Sequence, residues 1–161
     1  MTTLMLSEAR EAAQAVAYQL AHNDKEYGDF GALLRTQNPS AILTVARGSS
    51  DHAAHFLAYL GMARMGRLVT SLPMSLITLY QSQIACKGLV SMAFSQSGRS
   101  PDLVAPTRFF TGGGAVTAAF VNKEDSPLAH AAQWVFPLHA GTEASVAATK
   151  SYIAQLVTGA R

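Results

Sequence analysis

Leu4, Leu6, Ala9, Ala13, Val16, Ala17 and Leu20 recur at roughly helical spacing, and Glu8, Arg10 and Glu11 fall between them. The pattern predicts an amphipathic helix lying against the rest of the chain. After the turn material TQNPS comes AILTVA, an unbroken apolar run of strand length. RLVTSL, GLVSMAF, AVTAAFVN and WVFPL read as four more strands. Between them lie helical stretches: about His52 to Met65, then SLITLYQSQIAC, then PDLVAPTRFF closed by TGGG, then a short one around PLAHAA. TEASVAATKSYIAQLVTGAR reads as a final helix from Thr142. The triple glycine Gly112 to Gly114 reads as a helix stop and turn.

Strands that alternate with helices make a parallel sheet covered on both faces. The apolar runs show little polar alternation, as strands buried on both sides do. The expected fold class is therefore α/β: a doubly wound five-stranded parallel sheet with an extra N-terminal helix, its strand order taken to be the flavodoxin-like one. Residues 1–38 form the helical segment and 39–161 the sheet domain. In strand order 2-1-3-4-5 the first and third strands flank the topological switch point, where ligands bind outside the strands' carboxyl ends. Those two strands run into RGSSD and SQSGRS, the two most serine-rich loops of the chain.

Composition narrows the function classes. The chain has 161 residues, 49% of them hydrophobic and 14% charged, which suits one domain with a large core or subunit interface. A net charge of +2 gives no case for a nucleic-acid partner. No segment resembles a signal peptide or a membrane span, so no membrane partner is expected. Cys86 is the only cysteine, which excludes an intrachain disulfide and suits a reducing cytoplasm.

The serine loops carry the candidate chemistry. In SQSGRSPD, Ser100 is a good N-cap and Pro101 suits the first helical position. The amino end of that helix then points its free N–H groups at the crevice, a setting that suits a phosphate. Gly98 allows close approach of backbone to ligand. The hydroxyls of Ser95, Ser97 and Ser100 are donors, with Gln96 beside them. RGSSD repeats the arrangement with Gly48, Ser49 and Ser50 before another helix start. Either loop alone also fits an ordinary capped turn; both together at the switch point favour an anion site. Arg47 and Arg99 sit in these loops, to pair with phosphate or to be solvated.

Other motifs give less. There is no nucleophile elbow, P-loop or dinucleotide fingerprint. His52 and His55 are three apart beside Asp51, with no third ligand at convincing spacing, so no metal is expected. In HAGTEASVAATKSY, Thr142 suits a helix cap with Glu143 in the first turn. Glu143 and Lys150 fit an acid and a base, or helix electrostatics and packing.

SQSGRSPD resembles the S-Q-S-G-E-T element of the sugar isomerase (SIS) domain family, VARGSSDHAA its first loop, and AGTEASVAATKSY its A-G-x-E-x-x-V-A-x-T-K helix. The three stand in the family's order from about residue 40 onward. Within the family the chain is similar to the isomerase half of glucosamine-6-phosphate synthase, and more so to stand-alone bacterial glucosamine-6-phosphate deaminases. The resemblance assigns Ser50, Ser95, Gln96, Ser97 and Ser100 to phosphosugar binding and Val146 to the lip of the sugar pocket. Arg99 in place of the usual Glu, and Ala148 in place of a frequent Ser, are departures that bear on which sugar fits. Thr2 stands where a glutaminase needs a cysteine.

The resemblance implies phosphosugar binding within an aldose–ketose isomerase or aminosugar-phosphate deaminase. General acid–base chemistry of this kind needs no cofactor. Members of this branch usually carry two SIS domains in tandem, the second bearing the catalytic glutamate, so the chain is expected to be half of such a protein, with no second domain. Glu143 is the one candidate base within it. A homodimer is expected. The rival readings are a sugar-phosphate sensor without catalysis and a structural fragment that only associates.

Overall fold

Short β-branched and aromatic runs bounded by turns become strands here, and the segments between them close into helices over both faces. The computed structural model describes residues 3–161. Met1 and Thr2, the latter compared above with a glutaminase nucleophile, lie outside the described residues.

Two helices lead: α1 (Leu4–Leu20) and α2 (Asp24–Gln37). Then come β1 (Ala41–Val45), α3 (Ser49–Met65), β2 (Val69–Ser71), the single turn α4 (Ser75–Thr78), β3 (Leu89–Ser95) and α5 (Pro101–Gly112). The chain finishes with β4 (Val116–Val121), a 3-10 turn (Ala129–Ala131), β5 (Trp134–Pro137) and α6 (Lys150–Ala160). The sheet is parallel throughout, as the alternation of strands and helices predicts, and its order β2-β1-β3-β4-β5 is the flavodoxin-like one assumed above. On one face Phe94, Phe120 and Phe136 occupy one row across β3, β4 and β5. Their rings stack with centroids 4.5 and 4.9 Å apart. Phe30 and Leu34 of α2, with Ala54 and Ala58 of α3, complete that core. The opposite face packs Ala93, Ala119 and Val121 against Leu103, Val104 and Phe110 of α5.

Three segments differ from their patterns. The leucines of α1 do not face the domain: Leu4, Leu6 and Leu20 are exposed, while Glu8, Ala12 and Gln19 are buried. Hydrogen bonds key the helix instead, since Gln19 Nε2 donates to the Ala154 carbonyl (3.1 Å) and to the Thr158 hydroxyl. The stretch 75–86 yields one helical turn. The Thr78 hydroxyl bonds back to Met74 (3.1 Å), Gln81 takes a left-handed φ of 49°, and the chain runs on irregularly. The last helix starts at Lys150 rather than Thr142, and the backbone N–H groups of Ala144, Ser145 and Thr149 before it go to carboxylates.

Candidate functional site

Register brings the two serine loops together. Val45 pairs with Ala93 at the carboxyl ends of β1 and β3, so Arg47–Ser50 and Ser95–Ser100 leave neighbouring strands where the strand order reverses. Each leads into a helix amino end: α3 begins at Ser49 and α5 at Pro101. The first N–H groups of a helix have no intrahelical acceptor and carry partial positive charge. Among the described residues, two such ends converge on this crevice with hydroxyls around them.

The SQSGRS loop is held by its own atoms. Gly98 adopts φ 64°, a left-handed conformation, and its N–H donates to Ser95 Oγ at 3.0 Å. The Gly98 carbonyl accepts from Leu128 N at 3.0 Å, and a side chain at Gly98 would meet Ser126. Ser95 is buried; Gln96, Ser97 and Ser100 are half-buried. The Arg99 backbone N–H reaches Ser97 Oγ at a long 3.4 Å. Ser100 occupies the N-cap position, as expected, but there it is the carbonyl that accepts, from Leu103 N and Val104 N. Its hydroxyl makes no capping bond and is available to a ligand.

In the first loop Gly48 is the N-cap of α3, with φ 56° and ψ −135°, a backbone region essentially reserved for glycine. Ser49 is exposed and Ser50 half-buried. Ser50 Oγ accepts from Gln155 Nε2 at 3.0 Å, so α6 positions this hydroxyl from behind. Gln155 is buried, and its Oε1 has no hydrogen-bond partner. Neither charge nor spacing singles out Gln155 in the sequence; only the packing of α6 on α3 does. Arg47 forms an ion pair with Asp102 in the first turn of α5, across the crevice from one loop to the other. That answers the question the sequence left open for Arg47. Arg99 stays exposed.

The third motif becomes a loop clasped by two carboxylates. Glu143 Oε1 accepts from Thr149 N (2.9 Å), Thr149 Oγ1 (3.0 Å) and Ser151 N (3.2 Å), and Oε2 accepts from the Ser151 hydroxyl. Glu143 thus caps α6, the task the sequence gave to Thr142. Burial works to raise the Glu143 pKa, but these hydrogen bonds outweigh it and hold the carboxyl below its usual range. Glu8 of α1 accepts from Ala144 N (2.5 Å), Ser145 N (3.3 Å) and the Ser145 hydroxyl, which likewise lower its pKa. Val146, between the two clasps, is fully exposed. Lys150, buried, pairs with Glu11 of α1 at 2.5 Å. Asn122 fastens the preceding turn by accepting from Ala140 N (2.8 Å) and donating to the Gly141 carbonyl (2.7 Å).

His55 bonds back to the Asp51 carbonyl at 2.8 Å, and His52 is exposed. Among the described residues, no group of three or more His, Cys, Asp and Glu is arranged to hold a metal ion. Nor is any helix there long and apolar enough to cross a membrane.

Comparison with known proteins adds the following. The family model of the SIS domain matches residues 35–160. A glutamine–fructose-6-phosphate aminotransferase (isomerizing) of Bradyrhizobium diazoefficiens is 32% identical over 116 residues, 72% of this chain and 19% of that protein. The crystal structure of a Silicibacter pomeroyi protein assigned as a phosphosugar isomerase superposes with TM-score 0.93 at 39% identity, covering 98% of this chain and 48% of that one. The C-terminal domain of glucosamine-fructose-6-phosphate aminotransferase from Francisella tularensis shares the fold, with TM-score 0.83 at 24% identity over 99% of this chain and 47% of that one. The chain therefore spans about a fifth of the curated relative and about half of each solved structure.

Proposed function

The chain belongs to the SIS domain family, and from that premise we propose that it binds a sugar phosphate in the crevice between the Gly48–Ser50 and Ser95–Ser100 loops. The observation that carries the reading is the convergence of two helix amino ends and their serines at the β1/β3 switch point. In this reading residues 39–161 are the binding domain and 1–38 a helical segment on it. Gly48, Ser49, Ser50, Ser95, Gln96, Ser97 and Ser100 surround the phosphate and the near end of the sugar, and Val146 stands at the lip. The curated relative's name contains fructose 6-phosphate, which makes that sugar and glucosamine 6-phosphate the first ligands to try.

The reaction this site serves is isomerisation or deamination through proton transfer next to a carbonyl or imine. The domain supplies the binding half of it: serine hydroxyls hold an anion, whereas abstraction of a carbon-bound proton needs a free base. Glu143 is not free, because four donors occupy it. The buried thiol of Cys86 suits a reducing compartment such as the cytoplasm, and the homodimer expected from composition is part of the same reading.

Thermal melts with and without ligand test the proposal. A ligand at about 100 times its Kd adds about 2.7 kcal/mol. At roughly 2–4 °C per kcal/mol for a chain of this size, the midpoint rises by about 5–11 °C. Glucosamine 6-phosphate or fructose 6-phosphate should do this and the unphosphorylated sugars should not. Ser97→Ala should weaken binding about tenfold or more, the worth of one hydrogen bond to a charged group. Folded protein whose melt ignores millimolar sugar phosphate would refute the reading.

A further inference from the structure

The opposite end of the helix layer holds a second cavity. The serine loops lie at the amino end of α3; this cavity lies at its carboxyl end, roughly 25 Å away by the rise of a 17-residue helix. It measures about 510 Å³, within the range of small-molecule sites. The carboxyl-terminal halves of α2, α3 and α6 surround it. Its floor is the sheet itself, through the buried side chains of Met92 and Phe120, and its walls are Phe30, Leu34 and Leu57.

The lining contains no Asp or Glu but four arginines: Arg35, Arg64, Arg67 and Arg161. Arg161 is committed, paired with Asp24 and lying 4.2 Å over the Tyr27 ring. Arg67 donates to Asn38 Oδ1. Arg35 and Arg64 are exposed, and among the described residues no carboxylate pairs with either. A basic residue in the last turn of a helix complements the macrodipole, which accounts for Arg35 and Arg64 one at a time. It does not account for an apolar-floored void with two unpaired guanidinium groups in its lining. An apolar floor takes a flat hydrocarbon or aromatic body, and guanidinium forks take a phosphate or carboxylate in bidentate fashion.

We propose that this cavity is a second binding site, for a small organic anion made of an apolar ring system and one phosphate or carboxylate group. The ring lies on Met92 and Phe120, and the anionic group reaches Arg35 and Arg64. The site owes nothing to the serine loops, so it stands or falls independently of the sugar-phosphate reading.

Isothermal titration of the full chain with 1-naphthyl phosphate tests it, with 1-naphthol as the uncharged counterpart. The expected result is one site per chain, with binding weakened about tenfold or more when the phosphate is absent. Arg35→Glu combined with Arg64→Glu should weaken 1-naphthyl phosphate by at least as much, and Arg35→Gln with Arg64→Gln by less in the same direction. Both changes are at exposed positions, and melting curves verify that the variants fold. Ser97→Ala should leave this affinity unchanged. Three results would overturn the proposal: no binding by the wild-type chain, equal binding of 1-naphthol, or an affinity lost in Ser97→Ala and kept in the arginine variants.

Discussion

Replacing Gly98 by alanine tests whether the serine loop is built as described. Gly98 sits at φ 64°, where a Cβ costs about 1–2 kcal/mol. That Cβ would also lie 2.6 Å from Ser126 Cβ, and both residues are buried, so neither can swing into solvent. Overpacking of this kind costs about 1–3 kcal/mol. Together these give about 2–5 kcal/mol, which at roughly 2–4 °C per kcal/mol lowers the melting midpoint by about 4–20 °C. Two other glycines separate the causes. A Cβ at Gly48 meets nothing within 4 Å, so Gly48→Ala carries backbone strain alone, about 1–3 kcal/mol. Gly28 lies in the α2 helix with open space around it, so Gly28→Ala should stabilise by up to about 1 kcal/mol. Ser126→Gly removes the clashing atom, and a double-mutant cycle with Gly98→Ala should therefore show that the pair costs less than the sum of its singles. Affinity for glucosamine 6-phosphate should fall with Gly98→Ala even where the protein remains folded, because the Ser95–Gly98 bond must shift. A Gly98→Ala protein within about 0.5 kcal/mol of wild type, or an additive cycle, would refute the reasoning.

Gln155→Leu keeps the buried volume, removes an unpartnered oxygen and frees Ser50; stability should change little while titration shows roughly two- to tenfold weaker sugar-phosphate binding. The Glu8 and Glu143 pKa values are lowered in the folded chain, so their clasp is complete above the ordinary carboxylate range and is lost as pH falls through the lowered values. The amide resonances of Ala144, Ser145, Thr149 and Ser151 should report that transition together, and shifts that stay flat into strong acid would contradict it. Leu4, Met5 and Leu6 on α1, with Phe56, Tyr59 and Met62 on α3, leave apolar surface exposed. Light scattering at micromolar concentration should find a dimer or larger, not a monomer. Solvent deuterium should not enter C2 of bound glucosamine 6-phosphate above the uncatalysed rate; rapid uptake abolished by Glu143→Gln would make Glu143 the base.

The sheet was legible because its strands are nearly pure apolar runs, and a run buried on both sides leaves no ambiguity of face. The switch point followed only once a flavodoxin-like strand order was assumed, since that order fixes which loops become neighbours. Apart from 75–86, where Gln81 turns left-handed, what the pattern misassigned shares one cause: side-chain hydrogen bonds that local spacing does not display. The leucines of α1 suggested an inward apolar stripe, yet Gln19 and Glu8 reach partners 135 and 136 residues away. The 142–149 stretch has helical composition, but Glu8 and Glu143 take the N–H groups of Ala144, Ser145 and Thr149 in an open loop. Gln155 stayed invisible for the same reason, because its role exists only where α6 crosses α3.

Those carboxylates also bear on how the domain divides its labour. A general base needs a lone pair aimed at substrate and a pKa near the working pH. Glu143 has neither: its lone pairs face Thr149 and Ser151, and its pKa is lowered. Glu8, clasping the same loop from the other side, is lowered as well. Lowering suits a residue that must stay ionised to hold backbone N–H groups. Both acids therefore fix the loop that carries Val146 beside the entry to α6, whose Gln155 in turn fixes Ser50. The chain of contacts runs from α1 through the 142–149 loop and α6 to the first serine loop. On the proposed reading, a catalytic base delivered from outside these residues would meet a sugar phosphate already oriented, and positioning of that kind is worth several orders of magnitude once the reacting groups are in place.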